Sequence, residues 1–145
     1  MPRLIAIDIA ASKQFRDAVQ QIWHDGDVVL ALDQRLLPAA RHRVAVALGA
    51  DLLVDEHGTH HLPIESIATF SSATRLVALQ PDDALVIATS GSTGAPKGVV
   101  HTHAGLAAHA QMTGEQLGLS STDHWWLCLP PAHIGGFGVL YRALH

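Results

Sequence analysis

The sequence has one cysteine, few charged residues and no long hydrophobic run, and each scarcity excludes a class of protein. The single Cys128 cannot form an internal disulfide, which favours a reducing compartment. Charged residues make up 15% of the chain, and a net charge of −4 leaves no broad basic surface for nucleic acid. The N-terminus reaches Asp8 too soon for a signal-peptide core, and no later run could span a bilayer. We therefore predict a cytoplasmic protein that binds neither nucleic acid nor membranes.

Helix and strand patterns alternate through the first third of the chain. Ser12 is a suitable N-cap for a helix with one apolar face, and Pro38 can open a second helix that stops at Gly49. The predicted order is helix, strand, helix and strand, at residues 12–25, 28–32, 38–48 and 52–54. This alternation is typical of the α/β class, with helices flanking a mostly parallel sheet.

Turn-forming and polar residues suggest where the chain divides into two segments. A turn is predicted at 55–58, after which the sequence to about Leu79 shows little periodicity. The polar stretch 80–83 then marks a boundary. We predict an N-terminal α/β segment at 1–81 and a phosphate-loop segment at 82–145.

A loop of small hydroxylic residues and glycines follows the apolar strand predicted at 84–88. Glycines let backbone N–H groups converge on an anion, hydroxyls add further donors, and a lysine supplies a positive charge. The candidate nucleotide-binding residues are Thr89, Ser90, Gly91, Ser92, Thr93, Gly94 and Lys97. Lys97 lies between Pro96 and Gly98, so this is not the loop of the P-loop NTPases. A plain hairpin turn, with 99–100 pairing with 86–87, is the alternative, and both interpretations can hold at once.

The ordered string from Thr89 to Gly94, with Pro96, Lys97 and Gly98, resembles the phosphate-binding motif of the adenylate-forming superfamily. That superfamily includes acyl-CoA synthetases, the adenylation domains of peptide synthetases and beetle luciferases. The resemblance implies the N-terminal portion of the large domain of such an enzyme. It also implies that the loop holds the β- and γ-phosphates of ATP, bound with Mg²⁺, while a carboxylate attacks the α-phosphate, with Lys97 and Thr93 as the catalytic residues.

A second motif strengthens the resemblance. Pro130, His133 and Gly136 match a family stretch that lies at the entrance for the acyl substrate, although Ala132 stands where the family often has an aromatic ring. The resemblance implies that His133, Gly135 and Gly136 bind the substrate. A histidine that only satisfies backbone groups is the alternative. The two motifs look most like those of o-succinylbenzoate–CoA ligases of menaquinone biosynthesis.

Further elements are predicted in the second half. Thr102 can cap a helix that stops at Gly118, and the apolar run 125–129 predicts a buried strand containing Cys128. A last helix begins at 135–136, and its apolar stripe to Leu144 has no evident partner, as in a cut helix.

Eleven histidines invite a metal-site hypothesis, with the pairs at 60–61 and 101–103 as candidates. Neither pair has a cysteine or carboxylate that completes a ligand pattern, so we predict no protein-bound metal. His101 and His103 are instead expected where a strand passes into the next helix.

The resulting hypothesis is an AMP-forming acid–thiol ligase that uses a small carboxylic acid, ATP, Mg²⁺ and CoA, with a homodimer left open. Family segments that contact adenine and ribose, and the C-terminal lid domain with its lysine, are not found, so the chain alone is expected to be inactive. The alternatives are a peptide-synthetase-type adenylation domain, which loads a carrier protein, and a non-catalytic nucleotide-binding module.

Overall fold

A computed structural model describes residues 1–62, 79–90 and 95–145 of the chain. Most of the poorly periodic region before Leu79, and loop residues Gly91, Ser92, Thr93 and Gly94, lie outside the described residues. The strands are β1 (Leu4–Ile7), β2 (Val28–Ala31), β3 (Leu52–Asp55), β4 (Gly58–His61), β5 (Asp83–Ser90) and β6 (Pro96–Thr102). The helices are α1 (Lys13–His24), α2 (Pro38–Ala47), α3 (His103–Leu117) and α4 (Ile134–Leu144).

The strands form one sheet in the order β4-β3-β1-β2-β5-β6. Its four central strands are parallel, and β4 and β6 pair antiparallel at the two edges. Parallel strands are buried on both faces, which explains why β1 and β2 are apolar throughout. Strand β5, from the predicted second segment, pairs with β2 from the first, so both segments contribute to the same sheet.

The two faces of the sheet bury separate apolar clusters. On one face, α1, α3 and α4 pack around Phe15, Leu106 and Phe137, and the indole of Trp23 meets the Phe137 ring edge-on with centroids 5.9 Å apart. On the other face, α2 packs through Ala45 and its C-cap residue Leu48. The architecture is therefore helix, sheet, helix, as the alternating pattern predicted.

Most of the predicted helices and strands are confirmed, and so are the residues predicted to cap the helices. The Ser12 hydroxyl accepts a hydrogen bond from the Phe15 amide at the start of α1, and Thr102 caps α3 in the same way. Helix α3 ends at Gly118, whose φ of 62° lies in the left-handed region that favours glycine. The β5–β6 hairpin is also confirmed, since Val86 pairs with Val100.

Two predictions are wrong. Residues 125–129 do not form a strand: Trp126 is 86% exposed, and Cys128 is also exposed. The physical reason is that the run pairs with none of the six described strands, so its backbone joins no ladder of hydrogen bonds. The stripe of α4, by contrast, does have a partner: Phe137 and Tyr141 are buried in the cluster on the α1 face.

Candidate functional site

A cavity of about 570 Å³ opens at the carboxyl ends of β2 and β5. Ligands of open α/β sheets bind at this edge, because the loops that leave the parallel strands converge there. The cavity is lined by the β2–α2 loop, by one side of α2, by the two flanks of the β5–β6 turn and by the segment before α4. The described parts of both sequence motifs therefore meet at one place.

The flanks of the candidate phosphate loop are held by the hairpin. Thr89 and Ser90 line the cavity at the end of β5, and both are exposed. Ser90 pairs with Pro96, and the Thr89 hydroxyl lies 3.2 Å from the Lys97 carbonyl oxygen, to which it donates. The ladder thus fixes the two ends of the loop and presents hydroxyl groups at the cavity.

Lys97 and Gly98 behave differently from those flanks. The Lys97 side chain is exposed and is not part of the cavity lining. Gly98 faces α2, where an added Cβ would lie 2.9 Å from Val86 Cγ1. Gly98 is therefore required by the packing of β6 against β5 and α2, irrespective of any ligand.

His133 lines the same cavity and is joined to the β2–α2 loop. Its Nε2 atom lies 2.6 Å from Arg35 Nη2 and 3.3 Å from Asp33 Oδ2. Arg35 in turn donates from Nη2 to Asp33 Oδ2 over 2.7 Å. These three side chains connect residues 98 positions apart in sequence.

The charge state of this cluster is set mainly by Arg35. Hydrogen bonds from Arg35, opposed by partial burial, lower the pKa of Asp33 from 3.8 to about 2. The same contact raises the pKa of the Arg35 guanidinium. Asp33 is therefore a carboxylate at any physiological pH.

The wall next to this cluster contains a second ion pair. Arg41 of α2 lines the cavity, and its Nε lies 2.6 Å from Asp8 Oδ1 at the end of β1. Both side chains are largely buried, and Gln34 donates to the same Asp8 oxygen over 2.9 Å. This pairing ties α2 to the central strand below the cavity.

The two glycines predicted to bind substrate lie in the first turn of α4, outside the cavity lining. A Cβ on Gly136 would stand 2.3 Å from the Pro130 carbonyl oxygen, and one on Gly135 would stand 3.2 Å from Leu129 Cδ1. Gly136 thus permits the backbone before α4 to fold closely over the helix. A role for Gly135 and Gly136 in substrate binding stays a prediction.

The histidine pairs do not assemble with other ligands. Within residues 1–62, 79–90 and 95–145, no group of three or more His, Cys, Asp or Glu side chains could hold a metal ion. His60 contacts Asp55 over 3.0 Å, but that carboxylate also accepts from the His57 and Gly58 amides and so belongs to the β3–β4 turn. His101 is the last residue but one of β6 and His103 begins α3, as predicted, and burial lowers the pKa of both.

Sequence reasoning missed the partners of His133. Asp33 and Arg35 lie just after β2, and no role was predicted for them from the sequence alone. A polar, charged stretch directly after a buried parallel strand was the available signal, because such strand ends converge at binding edges. What could not be read from the sequence was that the loop before α4 returns to this edge.

Comparison with known proteins identifies the family. A family model described as "AMP-binding enzyme" matches residues 10–145, nearly the whole chain. The chain therefore belongs to the AMP-binding enzyme family, as the resemblance implied. None of the helices in the described part of the chain is long and apolar enough to cross a membrane.

Curated relatives are CoA ligases. A malonate–CoA ligase of Arabidopsis thaliana is 45% identical over 65 residues, which cover 44% of this chain and 11% of the relative. A probable 2-succinylbenzoate–CoA ligase of Mycobacterium tuberculosis is 44% identical over 66 residues, covering 46% of this chain and 17% of the relative. The chain thus matches only a small part of these relatives' length.

Solved structures share the fold. The o-succinylbenzoate CoA synthetase of Bacillus subtilis, solved with its acyl-adenylate intermediate, superimposes with a TM-score of 0.74 at 23% identity. The match covers 98% of this chain and 40% of that one. The same enzyme with ATP and magnesium gives a TM-score of 0.73 at 22% identity, covering 98% and 41%. The fold described here is therefore that of the N-terminal part of these enzymes.

Proposed function

We propose that this chain is the N-terminal part of an acid–thiol ligase that activates a small carboxylic acid with ATP and transfers the acyl group to CoA. In the first step the acid's carboxylate attacks the α-phosphate of ATP and pyrophosphate leaves. In the second step the CoA thiol displaces AMP. The observation that carries the proposal is the single cavity in which the flanks of the hydroxyl-rich loop and His133 lie together.

Each described residue has a role in this proposal. Ser90 donates a hydroxyl hydrogen bond to the phosphates, and Thr89 does so once its hydroxyl turns away from the Lys97 carbonyl oxygen. Lys97 contributes positive charge once its exposed side chain turns toward the phosphates. The remaining predicted phosphate ligands are Gly91, Ser92, Thr93 and Gly94. His133 lies at the acyl side, where it donates to the substrate carboxylate.

The donor set fits an anion better than a bare cation. Among the described residues that line the cavity, Asp33 is the carboxylate, and both of its oxygens already accept hydrogen bonds from Arg35. Mg²⁺ holds few protein ligands and is commonly bound through substrate phosphates. We therefore propose that Mg²⁺ arrives with ATP.

The test is substitution of Lys97 in the full-length protein. Lys97→Ala should lower ATP–pyrophosphate exchange about 100-fold, because it removes a charge that stabilises the departing pyrophosphate. Lys13→Ala is the matched control, since Lys13 is an exposed lysine of α1 that pairs with Asp17. Unchanged exchange in Lys97→Ala would refute the role given to this lysine.

The acceptor and the acid need separate assays. The curated relatives named above are CoA ligases, which supports CoA over a carrier protein. The acids in their names, malonate and 2-succinylbenzoate, are the first to assay for thioester formation. Binding of ATP without exchange for any acid would favour a non-catalytic nucleotide-binding module.

A further inference from the structure

His133 receives its orientation from the β2–α2 loop. Arg35 is bound to Asp33 through its main chain and its guanidinium: the amide lies 3.1 Å and Nε 2.9 Å from Oδ1. The Leu36 amide donates to the Asp33 carbonyl oxygen over 3.0 Å, which closes a turn around the pair. The guanidinium is therefore presented to His133 in one orientation.

Donor chemistry fixes the protonation of the ring. A guanidinium has only donors, so an Arg35 Nη2 atom 2.6 Å from His133 Nε2 requires Nε2 to accept. An imidazole whose Nε2 accepts is neutral and carries its proton on Nδ1. Asp33 is an acceptor, and its longer 3.3 Å contact with Nε2 would become a hydrogen bond only if Nε2 were protonated. The shorter contact with Arg35 therefore selects the Nδ1–H form.

The other ring nitrogen is left for a ligand. His133 is the N-cap residue of α4, yet its side chain makes no capping hydrogen bond. Within the described part of the chain, its ring contacts are those with Asp33 and Arg35, both at Nε2. The ring lines the cavity and is half exposed, so a bound molecule can reach it.

We propose that Asp33 and Arg35 are positioning residues: they hold His133 as the Nδ1–H tautomer, so that Nδ1 donates to an anionic oxygen of the acid substrate. The proposal rests on the function proposed above and deepens its acyl side. Asp33 acts through Arg35, and Arg35 acts through His133.

The first experiment measures the ring directly. Long-range ¹H–¹⁵N correlation spectra of the 145-residue chain should show His133 Nε2 unprotonated and Nδ1 protonated. In Arg35→Met this preference should disappear, and Arg35→Lys, which keeps a cationic donor, should restore it in part. Arg16→Met is the matched control, because Arg16 forms an exposed pair with Asp17 on α1. A wild-type ring protonated at Nε2 would overturn the proposal.

The second experiment measures the consequence in the full-length protein. Arg35→Met and Asp33→Asn should raise KM for the acid about tenfold, which corresponds to losing one hydrogen bond to a charged group, and leave KM for ATP unchanged. Arg35→Lys should recover most of the loss, and Arg16→Met should change neither constant.

The outcomes separate this proposal from the one on which it rests. If exchange is normal and KM for the acid is unchanged in both variants, the positioning role is wrong and the ligase function stands. If the wild-type protein catalyses no pyrophosphate exchange with any acid, the ligase function fails and this inference fails with it.

Discussion

Two apolar runs of equal length, 84–88 and 125–129, differ in structure: the first is a buried strand and the second is exposed and forms no strand. The first forms most of β5, between β2 and β6, and Leu85 is fully buried. The second lies on the surface with Trp126 and Leu129 exposed. The difference shows that apolar composition alone does not make a strand: a run is buried only where neighbouring strands accept its hydrogen bonds and a helix layer covers its side chains.

The largest expected effect is on stability, when a leucine is shortened in each of the two runs. Leu85→Ala should lower the free energy of unfolding by about 3 kcal/mol, because it leaves a cavity in the cluster between the sheet and α1. Leu129→Ala, the same substitution at a side chain that is 53% exposed, should change it by less than about 0.5 kcal/mol. Urea denaturation of both variants measures this, and equal losses would show that the second run is as well packed as the first.

A smaller effect is expected where the second run meets α4. Gly136→Ala should cost about 2 kcal/mol, because the new methyl group would collide with the backbone carbonyl of Pro130. Gly114→Ala is the control: this glycine lies within α3 with open space around it, so alanine should stabilise by about 0.5–1 kcal/mol. Thermal unfolding distinguishes the two, and a neutral Gly136→Ala would mean that the segment moves aside freely.

The smallest effect concerns acid. Because the pKa of Asp33 is lowered from 3.8 to about 2 in the folded chain, its contribution is complete above pH 4 and is lost as the pH falls from 4 to 2. The loss should be about 1 kcal/mol, since Arg35 is well exposed. Amide exchange should increase in the segment before α4, which His133 ties to Asp33, before it increases in β5.

Asp33→Asn should weaken that acid response at the segment before α4. Asp17→Asn is the control, because Asp17 also has a lowered pKa but pairs with Lys13 and Arg16 on α1, away from the cavity. Equal acid responses in the two variants would show that the Asp33 cluster does not hold this segment.

Local signals predicted the elements that depend on local physics. Ser12, Thr102 and Gly118 act at helix ends as expected, because capping involves residues within a few positions of one another. Strand β1 was not predicted, although it lies in the middle of the sheet, since its four residues are too short a run to be diagnostic. Strand β4 was not predicted either, because an exposed edge strand such as 58–61 needs no apolar pattern.

The site was predictable in part for a similar reason. The hairpin that presents Thr89 and Ser90 follows from two apolar strands joined by a turn, and the structure confirms it. The contact of His133 with Asp33 and Arg35 joins residues about 100 positions apart, and nothing in either stretch specifies the other. The predicted roles of Lys97, Thr93 and the α4 glycines remain predictions.

The close approach of Gly98 to Val86 shows that neighbouring residues of the Pro96-Lys97-Gly98 motif meet different requirements. Gly98 is needed for packing, because a Cβ there would meet the side chains of Val86 in β5 and Leu48 at the end of α2. The neighbouring Lys97 is exposed, and its role in catalysis remains a prediction. Substitutions at these two adjacent positions should therefore cause different defects. A side chain at Gly98 should reduce the amount of folded protein in the cell, whereas replacing Lys97 should reduce the turnover rate of protein that is still folded.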